Sequence, residues 1–255
     1  DTRHSQARHG KEGGVIGFGL GSSFGAFSPL SISGCVEWLK ADSLSLSDSD
    51  PVSSWTDSSG NSNTATATLT SRPLYRTGII NSLPVLRFDG VNDFMTITRN
   101  AGLEPTVATW FAVVRADASP GNFKYFLSKK HTVQDSASYG FNTGGTGLSR
   151  ALAIAATTGN VFSAGVDVFN TSAHILCGRA DASTLKYHVN GYLHSSVTAV
   201  GNLTYDSNDF IIGAFDSTQL YAAFDLAELI IYNTALSDVN RWKVQGYLGD
   251  KWGVP

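Results

Sequence analysis

Short stretches of alternating apolar and polar residues recur along the chain after Gly34. Residues 185–189 read LKYHV, and Asn190-Gly191 follows them. Alternation with a period of two predicts a strand with one buried face, and Asn-Gly between two such stretches predicts a tight hairpin turn. Because many short strands are separated by Gly, Asn and Asp turns, we predict an all-β chain built as a two-sheet antiparallel sandwich.

Two segments depart from this alternation. Residues 107–114 are apolar on both faces, which predicts a central strand with Trp110 in the core. Near the end of the chain, Ser237 is a good helix N-cap, and Val239 and Trp242 lie three residues apart on one face, which predicts that they are buried. We therefore expect one short C-terminal helix, ended by a glycine at position 249 or 253.

Residues 1–33 show neither period and are rich in glycine, which raises the entropy cost of ordering them. We predict an extended N-terminal arm, followed by the sandwich at 34–255. The arm also carries apolar side chains that are costly to leave in water. Assembly contacts with a neighbouring molecule are therefore expected at Val15, Ile16, Phe18, Leu20, Phe24 and Phe27.

Composition excludes several classes of protein. Charged residues make up 15% of the chain and the net charge is −3, so no large basic face for nucleic acid is expected. The sequence has no run of about 18 apolar residues, so no membrane span is expected. Cys35 and Cys177 could form one bridge, but two free thiols are the favoured interpretation.

Three segments in the correct order resemble laminin-G-like, concanavalin-A-like domains. They are residues 36–61 (beginning VEWLKAD), residues 72–94 with the turn FDGVNDF, and residues 227–253, which end in LGDKWG. The resemblance covers about residues 34–255. It implies a jelly roll of two stacked antiparallel sheets with a concave face. It leaves function open, because this fold hosts lectins, adhesion modules, hydrolases and structural proteins of virus particles.

Catalytic chemistry finds little support in the sequence. Glycan hydrolysis needs two carboxylates aimed at one bond, and enzymes of this architecture typically carry them in an E-x-D-x-E pattern, which is absent. The four glutamates, Glu12, Glu37, Glu104 and Glu228, lie far apart in the chain. Glu228 lies in an otherwise apolar strand, where it could serve as a general acid. The favoured interpretation is a structural carboxylate paired with an arginine at position 87 or 241.

Calcium is the one cofactor that the residues suggest. Asp89, Asn92 and Asp93 place three oxygen-bearing side chains within five residues, and calcium binds clustered oxygen ligands from loops. The alternative is that these residues only form the turn, which their types do without a metal.

Exposed aromatic rings could stack on sugars. Trp55 and Tyr221 lie near polar loops and are the predicted ligand-binding residues, whereas the other tryptophans are expected in the core.

The leading hypothesis is a non-catalytic structural or adhesive module, such as a capsid-decoration or tail-associated protein of a bacteriophage particle, which uses its arm for assembly. It would act on a virion or at an extracellular or cell surface, as a homo-oligomer or with other virion or surface proteins. The first alternative is a lectin that binds a glycan, and the second is a glycan hydrolase or lyase.

Overall fold

The computed structural model describes residues 27–131, 136–199 and 201–255. They form two stacked antiparallel β-sheets and one C-terminal α-helix, so the predicted sandwich with a single helix is confirmed. Within these ranges no helix is long and apolar enough to span a lipid bilayer.

The first sheet has eight strands, and its longest strand pairs with different neighbours along its length. One half of β16 (Ala223–Tyr232) pairs with β5 (Leu83–Asp89), and the other half pairs with β1 (Cys35–Lys40). The order is β14 (Tyr192–Thr198), β13 (Thr184–Val189), β12 (Ala173–Ala180), β7 (Ala108–Arg115), β16, β5 (Leu83–Asp89) and β4 (Leu74–Ile80), with β1 (Cys35–Lys40) beside β16.

The second sheet also has eight strands, and those towards one edge are short. Its order is β11 (Gly159–Phe162), β10 (Ser149–Ala155), β9 (Ser136–Thr143), β8 (Tyr125–His131), β15 (Phe210–Ile212), β6 (Met95–Ile97), β3 (Ala65–Thr66) and β2 (Ser54–Trp55).

The main core lies between the two sheets. Every residue from Ala108 to Val114 of β7 is buried, as expected for a strand flanked by β12 and β16. Trp110 is fully buried in this core, and its indole N–H donates to the Gly140 carbonyl of the second sheet. Both expectations for this strand are therefore confirmed.

The outer face of the first sheet is covered by helix α1 (Asp238–Trp252) and a second apolar cluster. Ser237 caps the helix by accepting a hydrogen bond from the Asn240 amide, and Gly253, with φ of 64°, ends it. Both are the residue types that these positions favour. Of the two predicted ends, Gly253 is the one used.

The helix does not bury the face that the sequence suggested. Its buried residues are Arg241, Val244, Gln245, Leu248 and Trp252. Val239 and Trp242 are exposed instead, so the prediction of a buried Trp242 is wrong. The spacing of these two residues marks a common face, but contact with the sheet decides which face is covered.

The chain reaches the sandwich earlier than the predicted boundary at residue 34. Pro29 is buried in a 3-10 helix, Pro29–Ser31, and its carbonyl accepts a hydrogen bond from the Tyr232 hydroxyl. Ile32 joins the cluster beneath α1, and the ring of Phe27 lies 6.1 Å from that of Tyr247. Residues 27–33 therefore pack on their own domain.

Candidate functional site

A groove of about 520 Å³ lies where the tip of the β13–β14 hairpin meets one side of helix α1. Two exposed aromatic side chains line it, Tyr192 at 76% exposure and Trp242 at 50%. We call it the aromatic groove, and the lining residues that matter below are Asn190, Tyr192, Trp242, Gln245, Asp250 and Gly253.

The hairpin turn positions the aromatic side chains. Asn190 and Gly191 both have positive φ, at 50° and 83°, as a tight hairpin turn requires. A Cβ atom at Gly191 would lie 2.6 Å from the Trp242 ring, so only glycine lets the indole rest directly on the turn. Tyr192 is the next residue along the chain, and the turn therefore brings both rings to one groove.

Arg241 supports Trp242 from behind. Its guanidinium lies 4.5 Å from the Trp242 ring centroid and donates a hydrogen bond to the Gly191 carbonyl. Its Nε lies 3.7 Å from the Asp238 carboxylate. This stacking fixes the orientation of the indole. Because Arg241 is only 3% exposed, it does not place a free positive charge in the groove.

Gln245 supplies a polar group that has no partner within the described residues. It is 5% exposed, it lines the groove, and its Oε1 accepts no hydrogen bond. A buried polar atom without a hydrogen bond is costly. Asn190 is already engaged, because its Oδ1 accepts from the Ile175 amide. The Gln245 amide is therefore a polar group in the wall of the groove whose hydrogen bonding is incomplete within the described residues.

Together these groups place apolar ring faces beside hydrogen-bond acceptors in one groove. Exposed aromatic rings provide apolar faces, while a buried amide oxygen and the exposed Asp250 carboxylate accept hydrogen bonds. Sugar rings combine apolar faces with peripheral hydroxyl groups, so the arrangement suits a glycan.

The structure places the two predicted sugar-stacking residues elsewhere. Trp55 is fully buried in the main core, and its indole N–H donates to the Lys40 carbonyl. The expectation that it is exposed is wrong, because its neighbours in sequence are polar but its own side chain faces the interior of the sandwich. Tyr221 is half-buried beside Phe94, and its hydroxyl donates to the Ser217 carbonyl.

The acidic turn brings Asp89 and Asp93 together as predicted, and backbone amides bond to one oxygen of each carboxylate. Oδ1 of Asp89 accepts from the amides of Val91, Asn92 and Asp93. Oδ2 of Asp93 accepts from the Asp89 amide. Burial raises the pKa of the Asp93 carboxyl to about 6. These contacts account for the turn without a metal, and calcium binding stays a prediction.

A second groove of about 430 Å³ lies beside this turn and contains an ion-pair network. The Asp225 carboxylate, which is buried, accepts hydrogen bonds from Arg87 and Arg115. Arg115 also pairs with Asp117 at 2.6 Å. Both arginines of this groove are thus paired with aspartates of the same chain.

The Glu228 carboxylate is held by hydrogen bonds and an ion pair, as expected for a structural residue, but its cationic partner is not the predicted arginine. Its carboxylate accepts hydrogen bonds from both Trp38 and Tyr247 on Oε1 and from both Lys251 and Trp252 on Oε2. Lys251 is thus its ion-pair partner, at 2.8 Å. Arg87 pairs with Asp225 instead.

The predicted assembly residues Val15, Ile16, Phe18, Leu20 and Phe24 lie outside the described residues. Phe27 is described, and its ring packs against Tyr247 of the same chain.

The sequence patterns did not identify the aromatic and amide residues of the groove. Trp242 was assigned to the core, and neither Tyr192 nor Gln245 was singled out. The Asn-Gly turn does indicate that Tyr192 lies at an exposed hairpin tip. No local signal connects that tip to the helix about 50 residues later in the chain.

Comparison with known proteins agrees with this architecture. A laminin-G-type family model, described as the concanavalin A-like lectin/glucanases superfamily, matches residues 89–239, which is more than half of the chain. No curated protein matches the chain by sequence.

Solved structures share the fold at low sequence identity. The binding domain of Paraclostridial Mosquitocidal Protein 1 superposes with a TM-score of 0.62 at 11% identity, covering 89% of this chain and 56% of that one. Trypanosoma rangeli sialidase in complex with sialic acid gives 0.60 at 17% identity, covering 86% and 33%.

Domain 4 of AbnA, an extracellular arabinanase from Geobacillus stearothermophilus solved with arabinotriose, gives a TM-score of 0.57 at 14% identity and covers 84% of this chain and 98% of that one. The chain therefore spans only a third to somewhat more than half of the toxin and sialidase chains, but nearly all of the arabinanase domain. The chain belongs to the concanavalin A-like lectin/glucanases superfamily.

Proposed function

We propose that this domain binds glycans without cleaving them, and that the aromatic groove holds the sugar. One observation carries the proposal: exposed Tyr192 and Trp242 share a groove with a buried Gln245 amide oxygen that has no partner in the described residues. Ring faces for stacking beside a polar group for orientation are the usual ingredients of a small-ligand site.

The structural comparisons support a glycan as the ligand class. Domain 4 of AbnA was solved with arabinotriose, and the sialidase with sialic acid. The other similar chains include binding domains of toxins. Binding of a sugar by this sandwich would thus have parallels among structures that share its fold. A role at an extracellular or cell surface, where such glycans occur, is part of the proposal.

The described glutamates support a non-catalytic role. Glu37 and Glu228 are buried, and Glu104 is bonded to both Arg99 and Lys129. None of the three is open to a substrate, and among the described residues that line the aromatic groove Asp250 is the one acidic side chain. Glycoside hydrolysis usually needs one carboxylic acid and one carboxylate, both in contact with the sugar.

The test is a glycan-binding measurement on two matched variants. Trp242→Ala should weaken binding at least about tenfold, equivalent to about 1.4 kcal/mol, because it removes one stacking face. The control is Phe123→Ala, since Phe123 is also 50% exposed but lies outside the groove. Both variants should keep the wild-type melting temperature. Equal binding by both would show that the groove is not the sugar site.

Assembly through the N-terminal residues is the second proposal. It is supported by the composition of residues 1–26 and by the position of Phe27, whose ring packs against Tyr247 of helix α1. A subunit of a virus particle or of a surface structure would use such a segment to bind its neighbours. Incorporation of a truncated chain into a native assembly tests this role separately from glycan binding.

A further inference from the structure

Asp250 gives the aromatic groove a negative charge. Among the described side chains that line the groove, Asp250 is the one that carries a formal charge, and it is exposed. Two cations of helix α1 are engaged elsewhere. Arg241 lies behind the Trp242 ring near Asp238, and Lys251 binds Asp42 and Glu228. Asp250 itself forms no ion pair within the described residues, so a ligand in the groove meets its carboxylate.

The Gln245 oxygen and the Asp250 carboxylate of the groove are hydrogen-bond acceptors, so a matching ligand must donate hydrogen bonds. The Gln245 Oε1 atom is buried without a partner, and a carboxylate such as that of Asp250 only accepts when ionised. Sugar hydroxyls can donate to the exposed Asp250 carboxylate, and to the Gln245 oxygen once that side chain turns towards the groove. A sugar carboxylate or sulfate cannot donate at neutral pH, and its charge would be repelled by Asp250.

We infer that the aromatic groove selects neutral, hydroxyl-rich sugars and discriminates against sugars that carry a carboxylate or sulfate. This inference rests on the proposed glycan-binding function and names the ligand class of that same site. Two unit charges about 6 Å apart repel enough to weaken binding about threefold in bulk water and about a hundredfold near a protein surface, so we expect roughly tenfold at the exposed Asp250. Salt should reduce that difference, because exposed charges are screened.

The experiment uses a panel of neutral glycans, each printed beside the same glycan capped with sialic acid and beside the methyl ester of that cap. The ester keeps the bulk of the cap but removes its charge. Wild-type full-length chain should bind the neutral and ester forms about tenfold more tightly than the acid form. Asp250→Asn should bring the three forms together, while Asp117→Asn, a control outside this groove, should not.

Each outcome separates the two claims. If wild type binds no member of the panel, the proposed glycan-binding function fails. If wild type binds glycans but holds the acid form as tightly as the neutral form, only the inferred selectivity is overturned. The selectivity is also overturned if the ester is rejected like the acid, or if Asp250→Asn leaves the ratio unchanged, because charge at Asp250 would then not be its cause.

Discussion

Glu228 connects strand β16 to strand β1 and to helix α1, and its replacement should destabilise the protein strongly. The carboxylate is buried and accepts four hydrogen bonds, two on each oxygen, from Trp38, Tyr247, Lys251 and Trp252. In Glu228→Gln one oxygen becomes an NH₂ group. Whichever way the amide is oriented, its NH₂ group faces two hydrogen-bond donors. Lys251 also loses the buried negative charge with which it pairs.

The expected loss is about 3–5 kcal/mol, the range for breaking a buried ion pair by removing one partner. For a domain of this length, each kcal/mol corresponds to about 2–4 °C in melting temperature, so a fall of about 6–20 °C is expected. Urea unfolding and calorimetry at pH 7 would measure both quantities. Asp250→Asn is the matched control, because it removes a carboxylate that is exposed.

A loss below about 1 kcal/mol in Glu228→Gln would refute this reasoning. It would mean that water or neighbouring groups replace the four bonds. A different result would reassign the residue altogether: if wild-type protein cleaved a glycan and the variant lost that activity at an unchanged melting temperature, Glu228 would belong to an active site.

Three further predictions concern other parts of the chain. Burial, followed by the nearby charge of Asp57, raises the pKa of Glu37 well above its usual 4.5. The folded state therefore keeps a proton that the unfolded state loses, and stability should fall by up to about 1.4 kcal/mol per pH unit from about pH 4.5 up to the raised pKa of the folded state. Glu37→Gln should lack this part of the fall, and identical pH profiles of unfolding for variant and wild type would contradict it. If Asp89, Asn92 and Asp93 bind calcium, millimolar calcium should raise the melting temperature and chelator should reverse the rise; no shift would show that the turn is held by its backbone amides alone. Deleting residues 1–26 should leave the sandwich folded but reduce incorporation into a native assembly; a large fall in melting temperature with normal incorporation would instead assign those residues to their own domain.

Local sequence patterns were sufficient for much of the fold. The Asn190-Gly191 turn, the Ser237 cap and the continuous apolar run of β7 each form where the sequence places them. These signals are local because a turn or a cap depends on a few adjacent dihedral angles and hydrogen bonds. Side-chain alternation likewise depends only on the geometry of a single strand.

The site and its surroundings were decided by tertiary structure. Trp55 lies among polar residues yet is buried, while Trp242 shares a helix face with an apolar residue yet is exposed. Glu228 binds Lys251 and Trp38, the second of which is 190 residues away in the chain. Sequence shows that such side chains need burial or a partner. Which surface covers a side chain, and which charge meets a carboxylate, depends on how distant segments pack. A groove between a hairpin and a helix therefore exists only once the sheets are assembled.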